Sequence, residues 1–257
     1  VDLAAALYNH VGVYDIVIGT LFTTVEAVAS LAACYPHVMT GYFVQDYEPN
    51  FDNLSADLKR EALESYTRVD GMLIFAKTDW LKQTVERHHP TVRVRKIKPA
   101  IDLAAFHAAL RTVAEEEETP PREVLRVVAM VRPKTPRRNP EGTLRVLLEL
   151  KARFGDRVHA VTFGCTRDEF EEALIEVSRK QATTSSLGFG FGFAAAAKGG
   201  GALDLYEDGI ELIDHRGTLP REAVASLFAT SDVFVDMSFW QAFGRTGLEA
   251  MASACVP

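Results

Sequence analysis

The sequence predicts an α/β protein with two doubly wound parallel-sheet domains that face a cleft, and two observations support this prediction. Short apolar runs rich in Ile and Val alternate with amphipathic segments of helical length. The alternation stops at a charged, proline-containing stretch and then restarts. Continuous apolar strands between helices are typical of parallel sheets that helices cover on both faces. We therefore predict domains at 1–105 and 124–257, joined by a linker at 106–123.

The first domain contains four predicted strands separated by three predicted helices. The strands share short apolar runs and cover Asp15–Gly19, His37–Gln45, Gly71–Ala76 and Val94–Lys98. The helices place apolar residues three or four positions apart and cover Thr23–Cys34, Asn53–Tyr66 and Asp79–His88. Residues 115–118 are all glutamate and are followed by Thr-Pro-Pro, a composition that indicates a connection between domains.

The second domain repeats the alternation with four more strands. These cover Leu125–Val131, His159–Phe163, Glu211–His215 and Val233–Met237. Asn139 followed by Pro140 predicts a helix N-cap with proline at the first helical position. Helices are expected at 140–154, Asp168–Arg179 and Arg221–Thr230, and from about Gly244. The low-complexity stretch 183–203, rich in Gly, Ala and Phe, is expected to be a flexible insertion.

Composition excludes several classes of function. The formal net charge of -7 argues against a nucleic-acid-binding protein, because sequence-independent binding needs a basic surface. The three cysteines lie far apart without a Cys-x-x-Cys pair, so neither a disulfide framework nor a zinc site is expected. Free thiols fit a cytoplasmic protein. The sequence has no apolar run long enough for a transmembrane helix.

Four cations follow the first strand of the second domain and form the first candidate site. Arg132, Lys134, Arg137 and Arg138 lie within seven residues, directly before the predicted N-terminus of a helix. Ligands of open α/β sheets bind at the carboxyl ends of strands, and guanidinium groups match phosphate oxygens in pairs. A diphosphate site and a solvated basic turn both fit this spacing.

A second candidate site follows the last predicted strand. Gln241 lies in a loop with two aromatic residues, and Phe243 and Gly244 precede a helix whose free N–H groups could meet an anion or a hydroxyl. Glu249, in the early part of that helix, could accept two hydrogen bonds from a ribose diol. A carboxylate that only interacts favourably with the helix dipole is the alternative for Glu249.

Asp46 and Glu48 follow a strand of the first domain. Both could face the cleft and meet an acceptor hydroxyl, or both could be solvated carboxylates in a turn made by Pro49. Neither is assigned as a general base.

The second candidate site resembles the C-terminal signature of the retaining family 4 glycosyltransferases. That signature has the form Glu-x7-Glu with an internal Phe-Gly, matched here by Phe243, Gly244 and Glu249, while Gln241 stands where the family usually has its first Glu. The segment 217–220 is similar to the family's loop against the nucleobase, which places Leu219 in the donor site. Loss of charge at Gln241 puts the usual contact with the sugar hydroxyl in doubt.

Other runs extend the resemblance over nearly the whole chain. Arg132 and Arg137 are similar to the family's Arg and Lys pair, which holds the donor diphosphate and would be the catalytic groups here. The runs 45–49 (QDYEP) and 132–140 (RPKTPRRNP) look most like bacterial rhamnosyltransferase-type members. The family's pattern also continues beyond both ends of this chain, so the resemblance implies an incomplete GT-B fold of two Rossmann-like domains.

The resemblance implies a role in polysaccharide biosynthesis. A sugar would pass from a nucleotide-diphosphate donor to a glycan, lipid-linked or protein-linked acceptor, with retention, without a metal and without a resident cofactor. Cytoplasmic location and peripheral membrane association are compatible with that role. Two alternatives are a GT-B-shaped nucleotide-sugar epimerase, which would need acid and base groups in the first domain, and a non-catalytic nucleotide-sugar-binding fragment.

Overall fold

The computed structural model describes residues 3–8, 14–107, 123–186, 210 and 212–257. By its contacts the chain divides into two compact units, Val1–Ala100 and Ile101–Pro257. The division falls before residue 105, the predicted end of the first domain. Residues 103–107 are helical, and Phe106 packs into a core of the second unit. Most of the predicted linker, residues 108–122, lies outside the described residues.

The first unit contains a four-stranded parallel sheet whose strands follow one another in chain order, β1-β2-β3-β4. Its elements are α1 (Leu3–Tyr8), β1 (Ile16–Gly19), α2 (Phe22–Cys34), β2 (Met39–Val44), α3 (Ala56–Glu64), β3 (Leu73–Ala76), α4 (Asp79–His88) and β4 (Val94–Lys96). The four predicted strands and three predicted helices are confirmed. Helix α3 begins later than Asn53 because Ser55 is its N-cap and accepts a hydrogen bond from the Leu58 N–H at 3.3 Å.

The two faces of this first sheet differ in burial. Because the strands follow one direction, right-handed connections place their helices on one side. On that side Tyr42 and Val44 are fully buried. The opposite side, which we call the open face, carries Ile16, Met39 and Leu73 with 52%, 60% and 49% of their surfaces exposed.

The second unit contains a second four-stranded parallel sheet, ordered β7-β6-β5-β8. Its elements are β5 (Leu125–Met130), α5 (Pro140–Phe154), β6 (Val158–Phe163), α6 (Arg167–Ser186), β7 (Ile213–His215), α7 (Arg221–Ala229), β8 (Val233–Val235) and α8 (Arg245–Ala252). From β5 the chain first builds outward through β6 and β7, and then returns to add β8 on the other side of β5. The strand order therefore reverses between β5 and β8, which makes this the topological switch point of the sheet.

Both faces of the second sheet are buried. Alternate residues of β5 point to opposite cores: Val127 joins Leu144 and Leu174 from α5 and α6, whereas Val128 joins Phe228 and Ala250 from α7 and α8. Helices therefore cover both faces, as predicted for a doubly wound domain.

Helix α5 spans the predicted range, but the structure changes two other boundaries. Asn139 adopts a left-handed backbone (φ 49°) and its side-chain oxygen accepts from the Gly142 N–H at 3.0 Å, so the predicted N-cap is confirmed. Helix α6 extends beyond Arg179, so residues 183–186 of the predicted insertion are helical. The remaining part, 187–203, lies outside the described residues. Strand β8 ends at Val235 instead of Met237.

Candidate functional site

Two loops meet at the switch point of the second sheet: residues 131–139 after β5, called the β5 loop, and residues 236–244 after β8, called the β8 loop. Because β5 and β8 are adjacent and parallel, both loops leave the same edge of the sheet. The Asn139 side-chain amide donates to the Met237 carbonyl at 3.0 Å, and the Phe239 N–H donates to the Arg137 carbonyl at 3.0 Å. These two hydrogen bonds join the two candidate sites into one.

The four cations of the β5 loop have different surroundings. The Arg137 guanidinium lies over the Trp240 ring, 5.1 Å from its centroid, which is a cation–π contact between the two loops. Arg138 lies 3.8 Å from the Asp236 carboxylate. Lys134 pairs with Glu169 of α6 at 2.6 Å. Arg132 is exposed, and its charge reaches Cys165, which follows β6.

Asp236 directly follows strand β8 and organises the β8 loop. One oxygen, Oδ1, accepts from the Ser238 N–H at 3.0 Å and from the Ser238 hydroxyl. Such an aspartate turn, two residues long, stops the strand earlier than the apolar pattern predicts. The other oxygen, Oδ2, accepts from the Gln241 side-chain N–H. Gln241 also donates to the Ser238 hydroxyl oxygen at 3.1 Å.

Phe243 and Gly244 directly precede helix α8, as predicted. Gly244 is the N-cap residue, and no side-chain cap is present at this helix end. Gly244 lies beside Gln241, since a Cβ atom on Gly244 would be in van der Waals contact with the Gln241 Oε1 atom at 3.9 Å. At the same helix end the Arg245 N–H donates to the Phe243 carbonyl at 3.0 Å.

Glu249 lies in the second turn of α8 and is half-buried. Burial raises the pKa of its carboxyl group, while the charges of Arg245 and Arg221 act in the opposite direction. Leu219, in the loop after β7, packs against the core between the sheet and α7 and α8. The loop that carries Leu219 leaves the sheet at the same edge as the β5 and β8 loops, because all four strands are parallel. Helix α8, which carries Glu249, begins at that edge.

A cavity of about 410 Å³ lies beside the switch point, between the β5 loop and helix α6. Its lining contains Lys134 and Phe239 but none of the seven predicted site residues. Four glutamates also line it: Glu141, Glu169, Glu172 and Glu176. A concentration of carboxylates disfavours an anionic ligand, so this cavity is a poor place for a diphosphate.

The two candidate carboxylates of the first unit, Asp46 and Glu48, are buried instead of facing solvent. Glu48 is 2% exposed and Asp46 is 9% exposed. The Glu48 Oε2 atom accepts from the N–H of Phe22, the first residue of α2, at 2.7 Å and from the Tyr42 hydroxyl at 2.8 Å. Burial raises the pKa of the Glu48 carboxyl to about 7, although these two hydrogen bonds lower it. The solvated-turn interpretation of Glu48 is therefore wrong, and its carboxylate instead joins β2 to α2.

Sequence reasoning found both loops but missed what connects them. It assigned Asn139 only as a helix cap, whereas its amide also bridges to Met237. It gave no role to Asp236, although the spacing Asp-x-Ser is a known signal for a side-chain turn. The structure brings Arg137 against the β8 loop and Gln241 against Gly244.

The two parallel α/β units define the class of this protein as GT-B, with Rossmann-like domains. No protein-family model and no curated protein matches the chain. Solved structures of GT-B glycosyltransferases do match it. HepE of Anabaena, in complex with UDP and glucose, has a TM-score of 0.66 and 15% identity, and the match covers 98% of this chain and 61% of HepE.

Two further solved structures are similar. The UDP-forming trehalose-phosphate synthase of Burkholderia xenovorans, in complex with glucose-6-phosphate, has a TM-score of 0.65 and 14% identity. Sucrose-phosphate synthase of Thermosynechococcus elongatus has a TM-score of 0.62 and 14% identity. Each match covers 98% of this chain and 58% of the other chain. At these identities the similarity establishes the fold, and this chain spans about three fifths of the length of the proteins it matches.

The described residues contain neither a metal-binding cluster nor a membrane-spanning helix. Within these ranges no cluster of three or more His, Cys, Asp or Glu side chains could hold a metal ion. Over the same ranges, every helix is too short or too polar to span a bilayer. The three cysteines, all in described segments, are free thiols.

Proposed function

We propose that this protein is a glycosyltransferase that binds a nucleotide-diphosphate sugar at the switch point of its second sheet. One observation carries the proposal: the β5 and β8 loops are joined there by the Asn139 amide, with Arg137 held against Trp240. Guanidinium groups, an uncapped helix end and a side-chain amide are thereby collected at the edge where α/β sheets bind ligands. The GT-B fold supports this choice, since HepE with the same fold is in complex with UDP and glucose.

The proposed roles follow from the chemistry of each group. Arg132 and Arg137 would hold the diphosphate, Glu249 the ribose, Leu219 the nucleobase, and Gln241 a sugar hydroxyl. The backbone of residues 243–244 would contact the sugar and the phosphates. As the bond to the anomeric carbon breaks, positive charge develops on the sugar and negative charge on the departing diphosphate. Fixed guanidinium groups stabilise the departing charge more than they stabilise the bound donor, which lowers the barrier.

The finer features are proposals that rest on the sequence resemblance. We propose retention at the anomeric carbon and a rhamnosyltransferase-like donor preference. The acceptor would be a glycan, a lipid-linked or a protein-linked sugar, and the guanidinium pair would make a metal or a resident cofactor unnecessary. The free thiols support a reducing compartment such as the cytoplasm, where peripheral association with a membrane would bring the protein to a lipid-linked acceptor.

Ligand-dependent thermal stability tests donor binding. UDP, GDP and dTDP, each alone and as a sugar conjugate, should include one that stabilises the protein, by about 2.7 kcal/mol at a concentration one hundred times its dissociation constant. Arg137→Ala should abolish the stabilisation. Arg145→Ala is the matched control, because Arg145 is exposed on α5 and pairs only weakly with Glu141, at 3.9 Å. If every nucleotide leaves the melting temperature of the parent unchanged, the proposal is wrong.

Release of free nucleotide then separates transfer from the alternatives. A glycosyltransferase releases nucleotide diphosphate faster when an acceptor is supplied, whereas an epimerase converts the donor without any acceptor. The assay should use the stabilising donor with a panel of glycan and lipid-linked acceptors. Donor binding without release under any of these conditions would favour a non-catalytic binding module.

A further inference from the structure

The side-chain amide of Gln241 is held in one orientation by its neighbours. Asp236 is an acceptor only, and its Oδ1 atom takes the single hydroxyl proton of Ser238. The Ser238 oxygen is then left as an acceptor, and it lies 3.1 Å from the Gln241 Nε2 atom. The second N–H of that amide meets Asp236 Oδ2. Both N–H groups of Gln241 are thus used, and reversing the amide would place its oxygen against two acceptors.

The carbonyl oxygen of Gln241 consequently faces the other way. Its Oε1 atom is shielded from solvent, and within the described part of the chain it has no hydrogen-bond partner. It lies toward Gly244, where a Cβ atom would be 3.9 Å away. A buried acceptor without a donor is unfavourable, so a ligand that supplies a hydroxyl at this point gains more than one that does not.

We propose that Asp236 is a positioning residue that fixes the Gln241 amide so that Oε1 can accept a hydrogen bond from a hydroxyl of the donor sugar. This inference rests on the proposed function. Since Oε1 is shielded, the β8 loop must shift for the hydroxyl to reach it.

A second consequence concerns the residue at position 241. Asp236 excludes a carboxylate there, because two carboxylates in direct contact repel each other. Arg138, 3.8 Å from Asp236, can balance only one of them.

Exchanging the carboxylate and the amide between positions 236 and 241 tests the coupling of these two side chains without any ligand. Gln241→Glu alone should lower the melting temperature by about 2–4 °C, through repulsion with Asp236. Adding Asp236→Asn should restore it, because the new amide donates to the new carboxylate and the Ser238 hydroxyl can do the same. Asp214→Asn is the matched control: Asp214 lies in β7, at the opposite edge of the sheet from β8, and pairs with Arg216. If Gln241→Glu is as stable as the parent, or if only the control restores stability, the exclusion is refuted.

Donor discrimination tests the positioning role. For the parent, the ratio of affinities for UDP-glucose over UDP, or for dTDP-rhamnose over dTDP, measures the contribution of the sugar. Asp236→Asn should reduce that ratio about tenfold, and the ratio cancels any effect of the substitution on the affinity for the nucleotide part. The double variant Asp236→Asn with Gln241→Glu, called the exchanged pair, should recover the ratio. A merely structural role of Asp236 does not predict this recovery.

The outcomes distinguish this inference from the function on which it rests. Failure of the parent to bind any nucleotide removes both. Nucleotide binding by the parent with an unchanged ratio in Asp236→Asn, or with no preference for the sugar form at all, overturns the positioning role and leaves the donor site in place. A reduced ratio that the exchanged pair restores supports the inference.

Discussion

The Glu48→Gln substitution tests whether a buried carboxylate makes the stability of the first unit depend on pH. Glu48 is 2% exposed, and its Oε2 atom accepts hydrogen bonds from the Phe22 N–H and the Tyr42 hydroxyl. The amide oxygen of glutamine can take the place of Oε2 and accept the same two bonds. The substitution therefore removes the charge and keeps the geometry.

The magnitude follows from the shift in pKa. Burial raises the pKa of Glu48 from 4.5 to about 7, and the nearby charge of Asp46 adds to that shift. The folded state thus keeps its proton up to a higher pH than the unfolded state does. The contribution of Glu48 to stability is fully present below pH 4.5 and is lost as the pH rises toward 7. A pKa shift of this size corresponds to a decrease of about 3 kcal/mol in the free energy of unfolding.

Urea denaturation between pH 4.5 and pH 8 measures this effect. A Trp240→Phe background leaves Trp80 as the single tryptophan, which reports unfolding of the first unit. We expect the free energy of unfolding of Glu48→Gln to exceed that of the parent by up to about 3 kcal/mol at pH 8, with the gain vanishing near pH 4.5. Glu61→Gln, an exposed control on α3, should show no such trend. A Glu48→Gln difference that stays constant across this pH range refutes the reasoning.

Three further substitutions test the second unit. Gly142→Ala should destabilise the protein by about 1 kcal/mol in urea denaturation although alanine favours helices, because its Cβ would overlap the Asn139 side chain that caps α5. When Gly142→Ala is combined with Asn139→Ala, the total loss of stability should be less than the sum of the two single losses. Gly164→Ala should cost about 1–3 kcal/mol by the same measurement, because Gly164 has φ 110° and a Cβ would lie 2.8 Å from Met130 Cγ. Arg132→Ala should lower turnover about 100-fold in the nucleotide-release assay, and unchanged turnover would contradict its role at the departing diphosphate. Turnover of the parent should be the same with and without EDTA. Loss of turnover in EDTA would show that a metal is required.

Much of the fold could be predicted from the sequence because its signals are local. The apolar runs of β5 and β6 and the Asn-Pro start of α5 each act within a few residues, and the structure confirms them. Strand order could not be predicted in this way, since it depends on which strands pair at long range. The reversal between β5 and β8, which creates the switch point, became visible only in the structure.

The sequence indicated which residues form the two candidate loops, but it did not indicate the hydrogen bonds that hold these loops together. Apolar patterning located the ends of β5 and β8, and the cations and glycine after them indicated ligand chemistry. The orientation of Gln241 depends on Asp236 and Ser238 acting together, which composition does not encode. Glu48 shows the same limit, because a carboxylate beside a proline is usually solvated and only the surrounding fold buries it.

The open face of the first sheet has a practical consequence for handling this protein. Ile16, Met39 and Leu73 present flexible hydrocarbon to water from three neighbouring strands. Contiguous patches of this kind make proteins stick to one another and to hydrophobic dyes. Concentrated samples should therefore precipitate through this surface first, and lysine at Met39 and Leu73 would be the natural starting point for improving crystallisation.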